Sequence, residues 1–376
     1  MNTKIAQFLS AHSPETPCLV VDLDLIAEAY ELLSRYLSVA SIYYAVKANP
    51  APEIVAMLAQ KGSNFDVASP AEIALCLGNG ATADRLSFGN TIKKEKDIAF
   101  AYRAGVRLFA FDSAGELEKL ARQAPGARVF CRILVSCEGA DWPLSRKFGC
   151  TPEMAVKLLA EARRLGLDPY GVSFHVGSQQ TDLGQWDRAI GAVAHMFTLL
   201  AETDINLRMV NIGGGFPAQY RGEVASIERY AQAVTDALTH HFGNRLPEII
   251  VEPGRSLVGD AGLIQSEVIL ISDKGDGEGK RWVYLDVGKF NGLAETMGEC
   301  IRYRIQAPGR SGPPGPVIIA GPTCDSADIL YERTEYRLPL DLEVGDKVEI
   351  LSTGAYTASY ASVGFNGFPP LRTYCV

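Results

Sequence analysis

The sequence predicts a (β/α)8 barrel of the TIM type followed by a smaller all-β sandwich or barrel-like domain, and three observations carry that expectation. Between residues 40 and 255 a short apolar run ending in a polar or glycine cluster recurs eight times, each followed by a helix-like segment. The residues able to do chemistry fall at the ends of those runs. Beyond residue 260 the texture changes to β-rich runs broken by Gly, Pro and Asp. At 376 residues the chain is too long for one ordinary core and suits a barrel with a second domain.

The eight runs are "IYYAVKAN", "NFDVAS", "RLSFGN", "RLFAFD", "RVFCRILV", "YGVSFHVGS", "RMVNIGGG" and "EIIVEPGR". Each has a short apolar stretch, often β-branched or aromatic, before its polar or glycine end, which is a strand signal. The segments "PAEIALCLGNG", "SAGELEKLARQ", "TPEMAVKLLAEARRLG" and "SIERYAQAVTDALTHHFG" carry apolar residues at helical spacing. Ser69-Pro70 with Glu72, and Thr151-Pro152-Glu153, are helix-start signals. An open doubly wound sheet is the structural alternative. We place the barrel at 22–260 and the β-domain at 261–376, with residues 1–21 joined to it through the strand in "ETPCLVVD". The β-domain runs are "GLIQSEVILIS", "RWVYLDVG", "GPVIIAG" and "DKVEILSTG", with "DKGDGEGK" and "APGRSGPPGP" as loops.

Composition narrows the function. Apolar content of 47% and charged content of 21% are those of a globular protein. No apolar run approaches the roughly 18 residues that cross a bilayer, and the N-terminus shows no signal peptide. Net charge is −8 without a basic tract, which argues against nucleic acid as a partner. The eight cysteines show neither CxxC nor zinc-like pairing with histidine, so free thiols, no metal and a cytoplasmic enzyme are expected.

In a barrel of this type the working residues sit at the C-terminal strand ends. Lys47, Asp66, Asn90, Arg132, His175, Gly213 to Gly215 and Glu252 to Arg255 fall there. Lys47, straight after an apolar strand, is either a lysine snorkelling to solvent or a reactive amine. "NIGGGFP" lets backbone N–H groups approach an anion, although a glycine run is often only a turn. Glu252 reads as a buried acid aimed at the centre, Arg255 as a phosphate ligand, and "HVGS" offers His175 and Ser178. A lysine, a phosphate cradle and a central carboxylate are what pyridoxal 5′-phosphate needs. The amine forms a Schiff base with its aldehyde, the glycines bind its phosphate and the acid keeps its pyridine nitrogen protonated.

The series "YYAVKANP", "FDVAS", "SFHVGSQ", "NIGGGFP", "EPGR", "GPTCDSAD" and "GAYT" resembles the fold-type III pyridoxal-phosphate-dependent amino-acid decarboxylases, most closely the ornithine decarboxylase branch, over nearly the whole chain. The resemblance implies an alanine-racemase-like barrel, a C-terminal β-domain and a head-to-tail homodimer with active sites at the interface. It implies that Lys47 carries the cofactor and that Glu252 pairs with the pyridine nitrogen. Ser178, the triplet Gly213, Gly214 and Gly215, Gly254, Arg255 and Tyr356 bind the phosphate, while Asp66, Arg132 and His175 shape the ring's surroundings. Cys324, reaching over from the second subunit, protonates the carbanion left by CO2, and Asp325 meets the distal ammonium of a diamino acid. Asp328 and Lys147 match a pair that bridges subunits, an ordinary surface pair being the duller alternative.

The expected reaction is L-ornithine to putrescine and CO2, in polyamine biosynthesis. Gln179, Val287 and Thr296 depart from the eukaryotic pattern and look like a bacterial-type variant with a different distal pocket. Lysine is one methylene longer, so a lysine or dual enzyme giving cadaverine is the alternative. A diaminopimelate decarboxylase typically carries Cys-Glu-Ser where this chain has Cys324-Asp325-Ser326, and a racemase would present a tyrosine base there. A non-catalytic regulatory homologue should have lost the lysine or the phosphate ligands.

Overall fold

The computed structural model describes residues 3–142, 147–275 and 279–376. The chain divides into two compact units, one of Ala27–Pro217 with Val224–Gly254, the other of the residues up to Ile26, Ala218–Glu223 and Arg255–Val376.

The first unit is a closed barrel of eight parallel strands: Ala40–Ala45, Asn64–Val67, Leu86–Phe88, Leu108–Phe111, Arg128–Arg132, Asp168–Ser173, Met209–Asn211 and Glu248–Val251. They lie side by side in chain order and the last pairs with the first, Val251 opposite Ile42. Closure excludes the open doubly wound sheet. All eight runs anticipated from the sequence are strands, because apolar β-branched and aromatic side chains suit a sheet buried on both faces. Tyr43, Leu108, Ala110, Phe130, Met209 and Ile250 form one cluster of the core. The first strand ends one residue earlier than its apolar run suggests: Val46–Ala48 is a single 3-10 turn, and it carries Lys47.

Helices follow the strands. Pro70–Gly78 is capped by Ser69, whose Oγ accepts from Glu72 N at 3.3 Å, while the Glu72 carboxylate accepts from Ala68 N at 2.6 Å. This reciprocal box, with proline at the first helical position, is what the Ser-Pro signal anticipates. Thr151 caps Pro152–Arg164 in the same manner. A short antiparallel pair, Ala140–Trp142 with Ser178–Gln180, stands apart from the barrel strands and was not legible from periodicity.

The second unit is built on one eight-stranded mixed sheet. Its long strand Gly262–Ser272 pairs antiparallel with the N-terminal strand Cys18–Val21, Cys18 opposite Gln265. Part of the loop "DKGDGEGK" (276–278) and Arg146 of "RKFG" lie outside the described residues. Asp328 is buried, with 3% of its surface exposed, and both its oxygens serve its own unit. One accepts from Lys289 N at 2.8 Å, the other from Thr323 N at 3.1 Å and Thr323 Oγ1 at 2.7 Å. A carboxylate this committed organises the loop that carries Cys324 and Asp325, so the alternative of an ordinary surface pair fails.

Candidate active site

Lys47 extends from its turn with about half of its side chain exposed, 52%, and Nζ stands 3.7 Å from Asp66 Oδ2. An amine in this state is accessible, as both readings of Lys47, a lysine reaching solvent and a reactive amine, require. Asp66, at the end of the second strand, is 6% exposed, and its Oδ1 has no hydrogen-bond partner. Burial and the neighbouring Glu252 push its carboxyl well above the ordinary range, while Lys47 and Arg132 pull the other way.

Arg132 ends the fifth strand, and its guanidinium lies 5.3 Å from the Phe148 ring centre. His175 follows the sixth strand; its Nδ1 accepts from Gly177 N at 3.0 Å, which places the proton of the neutral ring on Nε2. Burial, then Arg132 and Lys47, hold its pKa well below the usual value, so the ring is neutral at physiological pH.

The glycine triplet is packed from both sides. Gly213 and Gly215 have φ of 67° and 104°, a region that side chains rarely adopt. A Cβ on Gly213 would overlap Phe174 O, one on Gly214 would lie 2.6 Å from Glu252 O and 3.4 Å from His175 Nε2, and one on Gly215 would lie 2.7 Å from Gly177 O. Only a backbone without side chains fits between the histidine loop and the eighth strand. Glu252, expected as a buried acid, is half-buried: its backbone N donates to Gly213 O at 2.8 Å, while its carboxylate stands open enough to meet a ligand.

Asn211, which sequence reasoning missed, joins these parts. It is fully buried; its Nδ2 donates to Glu252 Oε1 and its Oδ1 accepts from Gly213 N at 2.9 Å. The acid and the anion cradle are therefore fixed to each other by one side chain. The signal was present in "VNIGGG", where a buried amide at a strand end needs partners on both sides. Ser178 opens the short strand Ser178–Gln180, half-buried, and Gln179 beside it adopts φ of 57°. Asn90 lies in the loop after the third strand, and Gly254 is buried after the eighth.

In the second unit Arg255 opens the helix Arg255–Val258 and is 2% exposed. Its guanidinium grips Glu295 with two bonds, 2.6 and 2.8 Å, and donates to Tyr220 Oη at 2.6 Å. It also lies 4.9 Å from the ring centre of Tyr356, whose φ is 58°. Glu295 and Tyr220 are forty and thirty-five residues away in sequence, and nothing local marks them as partners. Cys324 and Asp325 are exposed; Cys324 N donates to Asn366 Oδ1 at 3.0 Å and Asp325 Oδ1 accepts from Ala327 N at 2.8 Å. Among the described residues there is no metal-binding group of His, Cys, Asp and Glu, and no helix long and apolar enough to cross a membrane.

Comparison with known proteins matches residues 23–259 to the family described as pyridoxal-dependent decarboxylase, pyridoxal binding domain. The lysine/ornithine decarboxylase of Selenomonas ruminantium is 34% identical over 355 residues, spanning 94% of this chain and 88% of that one. Antizyme inhibitor 2 of Xenopus laevis is 33% identical over 362 residues, spanning 93% of this chain and 78% of that one. A crystal structure of a lysine/ornithine decarboxylase from Vibrio vulnificus, complexed with putrescine, superposes with a TM-score of 0.88 at 30% identity, covering 99% of this chain and 97% of the other.

Proposed function

The chain belongs to the pyridoxal-dependent decarboxylases that act on basic amino acids, and from that premise we propose that it converts L-ornithine to putrescine and CO2. The observation that carries this reading is the Glu252–Asn211–Gly213 unit at the barrel strand ends, where Lys47 and Asp66 also stand. An acid fixed to an anion cradle, beside an accessible lysine paired with a carboxylate, is the donor set that pyridoxal 5′-phosphate requires. The glycine triplet supports the fit, because any Cβ there would fill the cradle.

Bound there, pyridoxal 5′-phosphate supplies the electron sink for the carbanion left when CO2 departs. Lys47 supplies the ε-amine that carries it, with Asp66 steering that amine. Within the barrel unit Gly213, Gly214, Gly215, Ser178 and Gly254 would hold the phosphate. Glu252 would keep a proton on the pyridine nitrogen, and His175, held neutral, would adjoin the ring without adding charge. Arg132 balances the two carboxylates, Asp66 and Glu252, that raise its own charge preference. Cys324 delivers a proton to Cα, and Asp325 binds the distal ammonium of the substrate.

The exposure of Cys324 and Asp325 supports the proposal that the working form is a homodimer sharing its sites. A second reading, lysine as substrate and cadaverine as product, is favoured by the relatives named lysine/ornithine decarboxylases. A non-catalytic role, raised by the antizyme inhibitor, is disfavoured because Lys47, the cradle and Cys324 are all retained. The test is to offer ornithine, lysine, arginine and diaminopimelate side by side and measure CO2 from each. Ornithine should be turned over fastest; preference for arginine or diaminopimelate, or no CO2 from any, would overturn the proposal.

A further inference from the structure

Lys93 is a buried lysine for which the proposed reaction has no use. It lies in the loop between the third barrel strand, Leu86–Phe88, and the helix Glu95–Arg103, and its side chain is 0% exposed. Its ammonium donates to Asn90 O at 2.7 Å and Ala110 O at 2.6 Å, and it forms an ion pair with Glu116 Oε1 at 3.0 Å. Glu116, itself 3% exposed, also takes Lys119 Nζ at 2.5 Å and Lys93 N at 3.3 Å. Lys119 in turn donates to Lys93 O. Burial lowers the Lys93 pKa to about 8, with Glu116 opposing the fall and Lys119 adding to it. A buried ion pair is costly to desolvate and gives little net stability compared with apolar residues of the same shape. What it gives is a fixed local geometry.

That geometry ends on Asp66. Gly89, the first residue of the loop, donates to Val67 O at 3.1 Å and covers the Asp66 carboxylate so closely that a Cβ there would overlap Oδ1. Oδ1 is buried with no hydrogen-bond partner, so packing under Gly89, not a bond, sets where it lies. The other oxygen is the one 3.7 Å from Lys47 Nζ. Lys93 grips the carbonyl of Asn90, the residue next to Gly89.

We infer that Lys93 is a positioning residue: its ammonium pins the loop 89–93 over Asp66 and thereby sets the Asp66–Lys47 spacing. The inference rests on the assignment of Lys47 as the cofactor-carrying amine, with Asp66 as its partner.

The experiment is a pH titration of the visible absorbance of the cofactor-loaded protein, with kcat and KM measured alongside, for Lys93→Met, Gly89→Ala and Asp66→Asn. Asp66 is faced by Glu252, Lys47, Glu72 and Arg132, so removing its charge should move the titration midpoint by about one unit. Lys93→Met should move it the same way by less, and lower kcat about tenfold with KM changed less than about twofold. Gly89→Ala, which leaves the ammonium untouched and presses on Asp66 from the loop side, should give the same shift and serves if Lys93→Met does not fold. A folded Lys93→Met or Gly89→Ala with the parent midpoint and kcat, whatever its melting temperature, overturns the inference. An Asp66→Asn protein with the parent midpoint overturns the assignment of the Lys47–Asp66 pair instead.

Discussion

The two units spend their polar side chains differently. On the barrel the candidate groups hold one another: Asn211 joins Glu252 to the glycine triplet, Asp66 faces Lys47, and the histidine loop closes on the triplet. In the β-rich unit the backbone around Cys324 is fixed, by Asn366 and by the buried Asp328, while the Cys324 and Asp325 side chains are exposed. A rigid backbone that displays reactive side chains suits groups whose counterparts belong to another molecule. The barrel groups are tied to one another within their unit, whereas Cys324 and Asp325 stand exposed on theirs, the arrangement expected if the proposed dimer shares its sites.

The largest expected effect breaks the barrel half. Lys47→Ala should abolish CO2 release and the visible absorbance of bound cofactor, since it removes the accessible amine beside Asp66 that would carry the cofactor. Turnover at the parent rate would refute the cofactor assignment. Next comes the other half: Cys324→Ala should retain the cofactor spectrum yet lose on the order of a hundredfold in decarboxylation, the usual size of a lost proton donor. Mixing the two inactive proteins sharpens the comparison. If sites are shared, random exchange of subunits restores roughly a quarter of parent activity, because a mixed dimer of two-fold symmetry has one intact site. No recovery after demonstrated exchange would place both groups within one chain's site.

How legible all this was follows from where the information lies along the chain. Barrel strands announce themselves because each is a local run, buried on both faces, and the residue after each run is aimed at the rim by the topology. Ser69 and Thr151 marked helix starts for an equally local reason: a cap bonds three residues ahead. What the sequence hid are long-range pairs. Glu295, forty residues away, is the bidentate partner of Arg255. The contacts that bury the Lys93 ammonium come from Ala110 and Glu116, contributed by the next strand and helix. Asp328 is a further case: its oxygens accept from Lys289 N and from Thr323, partners thirty-nine and five residues away.

Glu252→Gln tests the joint within the barrel. Glutamine keeps a carbonyl for Asn211 but loses the charge, so the cradle should stay formed while turnover falls on the order of a hundredfold. Cofactor affinity within about threefold of the parent, with that loss in kcat, is the expected pattern; a collapse of affinity with kcat intact would make Glu252 a binding residue only. A smaller effect concerns the exposed half. One methylene separates lysine from ornithine, so their kcat/KM values should differ by about 10–200-fold. Asp325→Asn should lower both together, since a lost charge pair on the distal ammonium does not depend on chain length. Selective loss of one substrate would show that Asp325 does not set the ammonium site.

The smallest expected effect is on stability and belongs to the barrel alone. His175 has a folded-state pKa far below its unfolded value, first from burial and then from Arg132 and Lys47. A depressed pKa means that the unfolded chain takes up a proton which the folded protein refuses. The stability from keeping the ring neutral is therefore fully present above about pH 6.5, the unfolded value, and is lost progressively as pH falls below it. One proton contributes at most about 1.4 kcal/mol per pH unit. Thermal unfolding of the cofactor-free protein between pH 7.5 and 5 should thus show the parent losing more than His175→Gln, which has no such proton to refuse. Equal losses in the two proteins would mean that the ring is open enough to be protonated where it stands, and that the histidine loop closes on the glycine triplet less tightly than the packing at Gly214 indicates.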